Sequence, residues 1–242
     1  MIILIICCMM KLKVLGSGSS GNCYLLSTEN ETLILDCGLP IMEIKKGLDF
    51  DLSKVVGCII SHAHHDHDKS AEDIKNMGIR VWQPYLYEAE MKRVQRRYFG
   101  GFMVKNFDVP HDSEPCCGFI IECPNGERLL YATDFEYIGY SFKKLGIHHA
   151  LIEANYQNKY VEKSAINREH VLRGHCELGT TLGVIEDNRD SLRTVILCHL
   201  SQGNANPIEM VEEVKKVVKS VVYVDYARKG LEVELKTDEC PF

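Results

Sequence analysis

Short apolar runs separated by turn-forming residues fill most of the first two thirds of the chain. KLKVLG (11–16), NCYLL (22–26) and ETLILDCG (31–38) read as three strands, the first two flanking the turn-rich GSGSSG. VVGCII (55–60) is continuously apolar, as in a strand buried on both faces, and it runs straight into a cluster of histidines. SAEDIKNMG has the start, the spacing and the terminal glycine of a short helix. A second helix is expected after Pro84 through about Arg97, followed by strands at FMVKNFDV, CGFIIEC, ERLLYATD and HHALIEA. The last third reads as a helix (about 178–187), the strand TVILCH (194–199), a helix from Pro207 to Lys219, and strands VVYVD and LEVEL. Two strand-rich halves, each followed by helices, predict an α/β (α+β) architecture. Its form would be a four-layer αββα sandwich of two mixed sheets with helices outside.

Neither repeat nor linker divides the 242 residues, so one domain over 1–242 is expected, with 1–9 as an N-terminal extension. At 45% apolar and 26% charged the composition is that of a soluble globular protein. The net charge of −6 argues against a protein that coats nucleic acid electrostatically, while leaving room for a local basic groove. Eleven cysteines, with no CxxC pair and with adjacent pairs at Cys7–Cys8 and Cys116–Cys117, read as buried thiols in a reducing, cytoplasmic compartment. MIILIICCMM at the start is too short to span a bilayer and lacks the flanks of a signal peptide, so no membrane association is expected. Its apolar surface would suit a subunit interface, and a homo-oligomer is one expectation.

The densest chemistry is His62-Ala63-His64-His65-Asp66-His67, directly after a buried strand. Residues two apart in a loop point the same way, so His62 and His64 would chelate one ion, and Asp66 and His67, displaced along the loop, a second. Further ligands are needed from elsewhere. His111, Asp134 and His199 each follow or end an apolar strand, where a rigid scaffold sets side chains for catalysis. Imidazole and carboxylate donors favour zinc, with manganese or iron(II) next. Cys198, beside His199, alternates to the opposite face and reads as core.

HAHHDH matches the HxHxDH signature of the metallo-β-lactamase fold, and Asp36, His111, Asp134 and His199 follow that family's order along nearly the whole chain. The resemblance implies two Zn²⁺ ions: His62, His64 and His111 on the first, Asp66, His67 and His199 on the second, and Asp134 bridging them. Asp36 would support the ligand loop by hydrogen bonding. Histidine at 64, where oxygen- and nitric-oxide-reducing diiron members usually carry glutamate, favours hydrolysis over redox chemistry.

LGSGSSGNCYLL and HLSQGN followed by KGLEVEL resemble the YycJ/WalJ-type branch of the family and its phage-borne relatives, associated with nuclease or phosphodiesterase activity. LIEANY (151–156) and RGHCELGTT (173–181) are similar to segments of ribonuclease Z. That likeness makes His175 the donor of a proton to the departing oxygen and Glu153 the group that orients it. The expected activity is a phosphodiesterase or nuclease cutting DNA or RNA through a metal-bridging hydroxide, with Asp66, Asp134, His175 and Glu153 as catalytic residues. Its alternatives are a phage-type cyclic-nucleotide phosphodiesterase, or an acyl hydrolase of the glyoxalase II or lactonase kind. A metal-stabilised binding protein is a further class, disfavoured by the complete ligand set. The turn Gly16–Gly21 would aim amides at a phosphate, with Ser19, Ser20 and Asn22 as substrate contacts. Lys92, Arg93, Arg96 and Arg97, beside Tyr98 and Phe99, would form either a nucleic-acid contact or a solvated helix face. His65, His148, His149 and His170 carry no assignment.

Overall fold

The computed structural model describes residues 9–87, 91, 94–112, 115–161, 172–235 and 237. Expectations for residues 1–8, for Lys92 and Arg93, and for His170 lie outside them.

Thirteen strands form two mixed sheets among the described residues. The six-stranded sheet contains β1 (Met10–Gly16), β2 (Cys23–Ser27), β3 (Thr32–Leu35), β4 (Val55–Ile59), β5 (Val81–Trp82) and β13 (Glu232–Leu235), in the order β13-β1-β2-β3-β4-β5. The seven-stranded sheet contains β6 (Arg96–Phe99), β7 (Phe102–Val109), β8 (Cys116–Glu122), β9 (Arg128–Ala132), β10 (His149–Glu153), β11 (Thr194–Cys198) and β12 (Tyr223–Tyr226), in the order β12-β11-β10-β9-β8-β7-β6. Each sheet is parallel through one half, β3-β4-β5 and β9-β10-β11-β12, and antiparallel through the other.

Three apolar clusters account for the predicted layering. Leu12, Val14, Tyr24 and Leu33 of one sheet meet Phe119, Tyr131, Leu151 and Ile196 of the other in the central layer. Cys198 also lies there, as the alternation predicts. Outside the six-stranded sheet, Ile34, Cys58 and Ile60 pack on Ile44 of α1 (Ile41–Gly47) and Ile74 of α3 (Ala71–Asn76). Outside the other sheet, Ile152, Val195 and Leu197 pack on Ile185 of α4 (Leu178–Asn188) and Met210 and Val214 of α5 (Pro207–Val217). Strands covered on both faces are apolar at successive positions, and this explains the continuous runs in β4, β10 and β11.

The helix expected through Arg97 is corrected at its end. Arg96–Phe99 is an edge strand paired with Lys105 to Phe102 across the two-glycine turn Gly100-Gly101, where Gly100 takes the left-handed φ of +54° that glycine tolerates. The apolar contact of the hairpin with the central layer outweighs the helical charge spacing, because Phe99 is only 1% exposed and packs on Trp82. No helix among the described residues is long and apolar enough to cross a membrane.

Candidate metal centre

The strands running toward one rim of the sandwich deliver the side chains. Asp36 follows β3, His62 follows β4, His111 follows β7, Asp134 follows β9, Glu153 ends β10 and His199 follows β11. The helical turn α2 (His65–Asp68) then carries Asp66 and His67 back toward the same point. Asp36, Asp134 and His199 all adopt left-handed backbone, with φ of 54°, 52° and 51°. Each strand therefore turns sharply at the residue that carries chemistry, a conformation that costs about 1–2 kcal/mol in a non-glycine residue and that recurs at functional sites.

Four overlapping groups of donors result among the described residues, each with ligand atoms within 4.8 Å of one another: His62, His64 and His111; Asp66, His67 and His199; His62, His67 and Asp134; and Asp134, Glu153, His175 and His199. In the first, His62 Nε2 lies 3.0 Å from His64 Nδ1, which lies 3.3 Å from His111 Nε2. The opposite nitrogens fix the tautomers. His111 Nδ1 donates to the Gly174 carbonyl at 2.9 Å, and His62 Nδ1 lies 3.0 Å from Ser61 Oγ, whose own proton goes to Asp36 Oδ2 at 3.0 Å. Both Nε2 atoms thus present lone pairs. Burial and the neighbouring imidazoles hold His62 well below the ordinary histidine value, and burial lowers His111.

The second group is Asp66, His67 and His199. Asp134 stands beside it, with Oδ2 3.0 Å from His67 Nε2 and 2.8 Å from His199 Nδ1. His62, His67 and Asp134 also form a donor group, so Asp134 borders both clusters. Burial would lower the His199 imidazole, but the charges and hydrogen bonds of Asp134 and Glu153 push it up to about 10. Burial likewise opposes ionisation of Asp134, and His199 and His67 overturn it, holding the carboxyl well below its usual range. The donor set fits divalent metal: three convergent imidazoles in one group, and mixed imidazole and carboxylate in the other.

Asp36 lies beneath both groups, fully buried. Its carboxylate accepts from Ser61 N at 2.7 Å, Ser61 Oγ at 3.0 Å, His67 Nδ1 at 2.6 Å and the Tyr131 hydroxyl. Gly38 brings the next turn against the Asp66 carbonyl, where a Cβ would overlap backbone.

A cleft of about 660 Å³ opens over the donors, lined by Ser19, His64, Asp66, His111, Asp134, Asn155, His175, His199 and residues 200–204. At its wall His175 Nδ1 donates to Glu153 Oε1 at 2.8 Å and lies 3.3 Å from Asp134 Oδ1. Burial lowers the His175 imidazole, yet Glu153 and Asp134 together raise it above its ordinary value. The carboxylate fixes a proton on Nδ1, and the ring lines the cleft.

The structure therefore brings together all the ligand candidates, Asp36, Glu153, His175 and Ser19. Ser20 is exposed on the turn but does not line the cleft. Asn22 is corrected: at 0% exposure its amide is spent on Gly18 and Asp66, so it faces no substrate. Phe99 is likewise core, not a stacking platform, and Arg96 pairs with Lys105 partway down β7, away from the rim that carries His111. His65 is exposed, His148 accepts from Arg128 N, and His149 is buried against Glu127. Asn155, Ser201, Gln202 and Asn204 line the cleft without having been singled out. The polar run directly after a strand-end histidine was the available signal for three of them.

This arrangement of sheets, strand-end donors and cleft is the metallo-β-lactamase fold of a metal-dependent hydrolase, and residues 16–79 match the family model of the metallo-beta-lactamase superfamily. More particularly, the chain is 24% identical over 225 residues to exodeoxyribonuclease YycJ of Bacillus anthracis, covering 79% of this chain and 82% of that protein. Among solved structures, the metallo-β-lactamase fold protein YhfI of Bacillus subtilis superposes with a TM-score of 0.67 at 18% identity, covering 93% of this chain and 99% of that one. The short form of human tRNase Z gives 0.61 at 15% identity, covering 94% and 100%.

Proposed function

We propose that the protein is a phosphodiesterase that cuts DNA or RNA with the help of two divalent ions, zinc foremost. The observation that carries this reading is the pairing of His175 with Glu153 at the cleft wall, 2.8 Å apart and beside Asp134. An alkoxide is a poor leaving group and needs a proton, whereas an acyl substrate with a thiolate leaving group does not. Likeness to an exodeoxyribonuclease and to a tRNase Z favours a nucleic-acid substrate.

His62, His64 and His111 would hold the first ion, Asp66, His67 and His199 the second, and Asp134 would contact both. When bound, such a pair of cations acidifies water and neutralises charge on the phosphate. Asp134, flanked by both donor groups, would orient the attacking water together with Asp66. Glu153, fully buried, accepts from His175 Nδ1 and from Phe135 N at 3.1 Å, and so holds the ring at the wall of the cleft. Held above its ordinary pKa, His175 carries the proton at Nε2 that the departing oxygen takes. All eight described cysteines are buried thiols, which suits a reducing, cytoplasmic compartment.

The test is turnover by zinc- and manganese-loaded protein on 5′-labelled single- and double-stranded DNA, RNA, cyclic mononucleotides and one thioester, with Asp66→Ala as control. Cleavage of the polymers, lost in the control, is expected. Cleavage of cyclic mononucleotides alone would replace the polymer with a small signalling nucleotide, and preferential thioester cleavage would overturn the phosphodiesterase reading. Polymer affinity should also fall steeply with salt, since several phosphates release counterions on binding.

A further inference from the structure

The turn between β1 and β2 touches all three donors assigned above to the second ion, His199 at one end and Asp66 and His67 at the other. At one end, the His199 backbone N–H donates to Ser17 Oγ at 2.9 Å, a contact spanning 182 positions of sequence. The Tyr24 hydroxyl donates to the same Ser17 Oγ at 2.9 Å and lies 3.3 Å from Asn22 Oδ1. At the other end, Asn22 N donates to the Asp66 carbonyl at 2.7 Å, and Asn22 Nδ2 reaches that carbonyl at 3.3 Å and Asp66 Oδ2 at 3.4 Å. The same Nδ2 lies 2.9 Å from His67 Nε2. Within the turn, Asn22 Oδ1 accepts from Gly18 N at 2.8 Å and Nδ2 donates to Gly18 O at 3.1 Å, which makes the span between Ser17 and Asn22 a rigid unit. Asn22 and Tyr24 are fully buried, so these polar groups are held by one another and not by solvent.

We propose that Ser17 and Asn22 are positioning residues for the second metal site: the turn is a brace that sets the separation of His199 from the Asp66–His67 pair. This rests on the assignment of a second ion to Asp66, His67 and His199. The turn's hydrogen bonds reach Asp66, His67 and His199, so the brace acts on the second site. His199 follows β11 of one sheet, at a left-handed turn, and Asp66 lies in α2, after β4 of the other. Without a cross-link, the small shifts that interfaces between sheets allow would enter the ligand separation directly. Supporting partners of metal ligands are worth about 10–100-fold in metal affinity.

The experiment is Zn²⁺ titration of metal-free full-length protein against a chromophoric chelator, for the wild type and for Ser17→Ala, Tyr24→Phe and Asn22→Ala, with His111→Ala as the opposite control. The wild type should bind two ions. In Ser17→Ala and Asn22→Ala the weaker association of the second ion should fall by about 10–100-fold while the first is unchanged, and Tyr24→Phe should show a smaller loss of the same kind. His111→Ala should do the reverse, weakening the first ion. Ser17→Ala and Tyr24→Phe remove only one hydroxyl each, so they report even where Asn22→Ala fails to fold. Unchanged second-ion affinity in Ser17→Ala, or equal weakening of both ions, overturns the brace while leaving the two-ion reading intact. A wild type that binds a single ion overturns the two-ion reading, and the brace with it.

Discussion

Glu153 Oε1 accepts from His175 Nδ1 at 2.8 Å and lies 3.4 Å from His199 Nδ1, so one buried carboxylate orients both the proposed proton donor and a proposed metal ligand. Their roles separate by leaving group. His175→Ala should lower turnover on nucleic acid by about 10²–10⁴-fold while leaving metal content unchanged. With a p-nitrophenolate leaving group, which departs without a proton, the loss should be far smaller. Equal losses on both substrates would remove His175 from proton donation.

The two donor groups should differ in their response to pH. His62 and His111 are held below the ordinary histidine value near 6.5, so protons do not compete for them at pH 7.5. His199, pushed up to about 10, must give up a proton to become a ligand. At His62 and His111 protons should therefore not compete with the first ion from pH 8 down to about 6.5. The second should bind more tightly as pH rises over that range, with release of about two protons, one from His199 and one from His67, which Asp134 and Asp36 hold well above the ordinary value against its burial. Calorimetry in buffers of different ionisation enthalpy reads this directly; identical proton release for both ions would contradict it.

Asp36 should be a stability determinant of the metal-free protein. Asp36→Ala removes the acceptor for Ser61 N, Ser61 Oγ, His67 Nδ1 and the Tyr131 hydroxyl, all buried. Breaking a buried ion pair in this way costs about 3–5 kcal/mol, and Tyr131→Phe, which removes one donor to a charged acceptor, about 1.5–3 kcal/mol. Urea unfolding of the metal-free variants measures both.

Two glycines should respond in opposite directions. Gly38→Ala drives a methyl group into the Asp66 carbonyl, so it should destabilise by at least about 1–3 kcal/mol and displace Asp66. Gly183, exposed within α4 with nothing near its missing Cβ, should gain about 0.5–1 kcal/mol on substitution by alanine. Thermal melting of the two variants side by side is the check.

The sequence by itself determined the sandwich and the candidate ligands. Apolar runs followed at once by His or Asp mark a strand that ends at a polar rim, and that pattern is local, so Asp36, His62, His111, Asp134 and His199 were legible one strand at a time. Tertiary structure decided what depends on partners far along the chain. The sequence shows the charges of Arg96 and Arg97 but not the apolar layer that draws Phe99 inward and makes their segment a strand. It shows Asn22 beside a glycine-rich turn, where exposure is the natural expectation. The fold instead closes Asp66 over it from 44 positions away and spends the amide inside. The left-handed turns at Asp36, Asp134 and His199 belong to the same category, since isolated Asp and His residues favour no such backbone strongly enough to hold it. Only the packed sheets, which fix where each strand must stop and which neighbours its last residue meets, supply that energy.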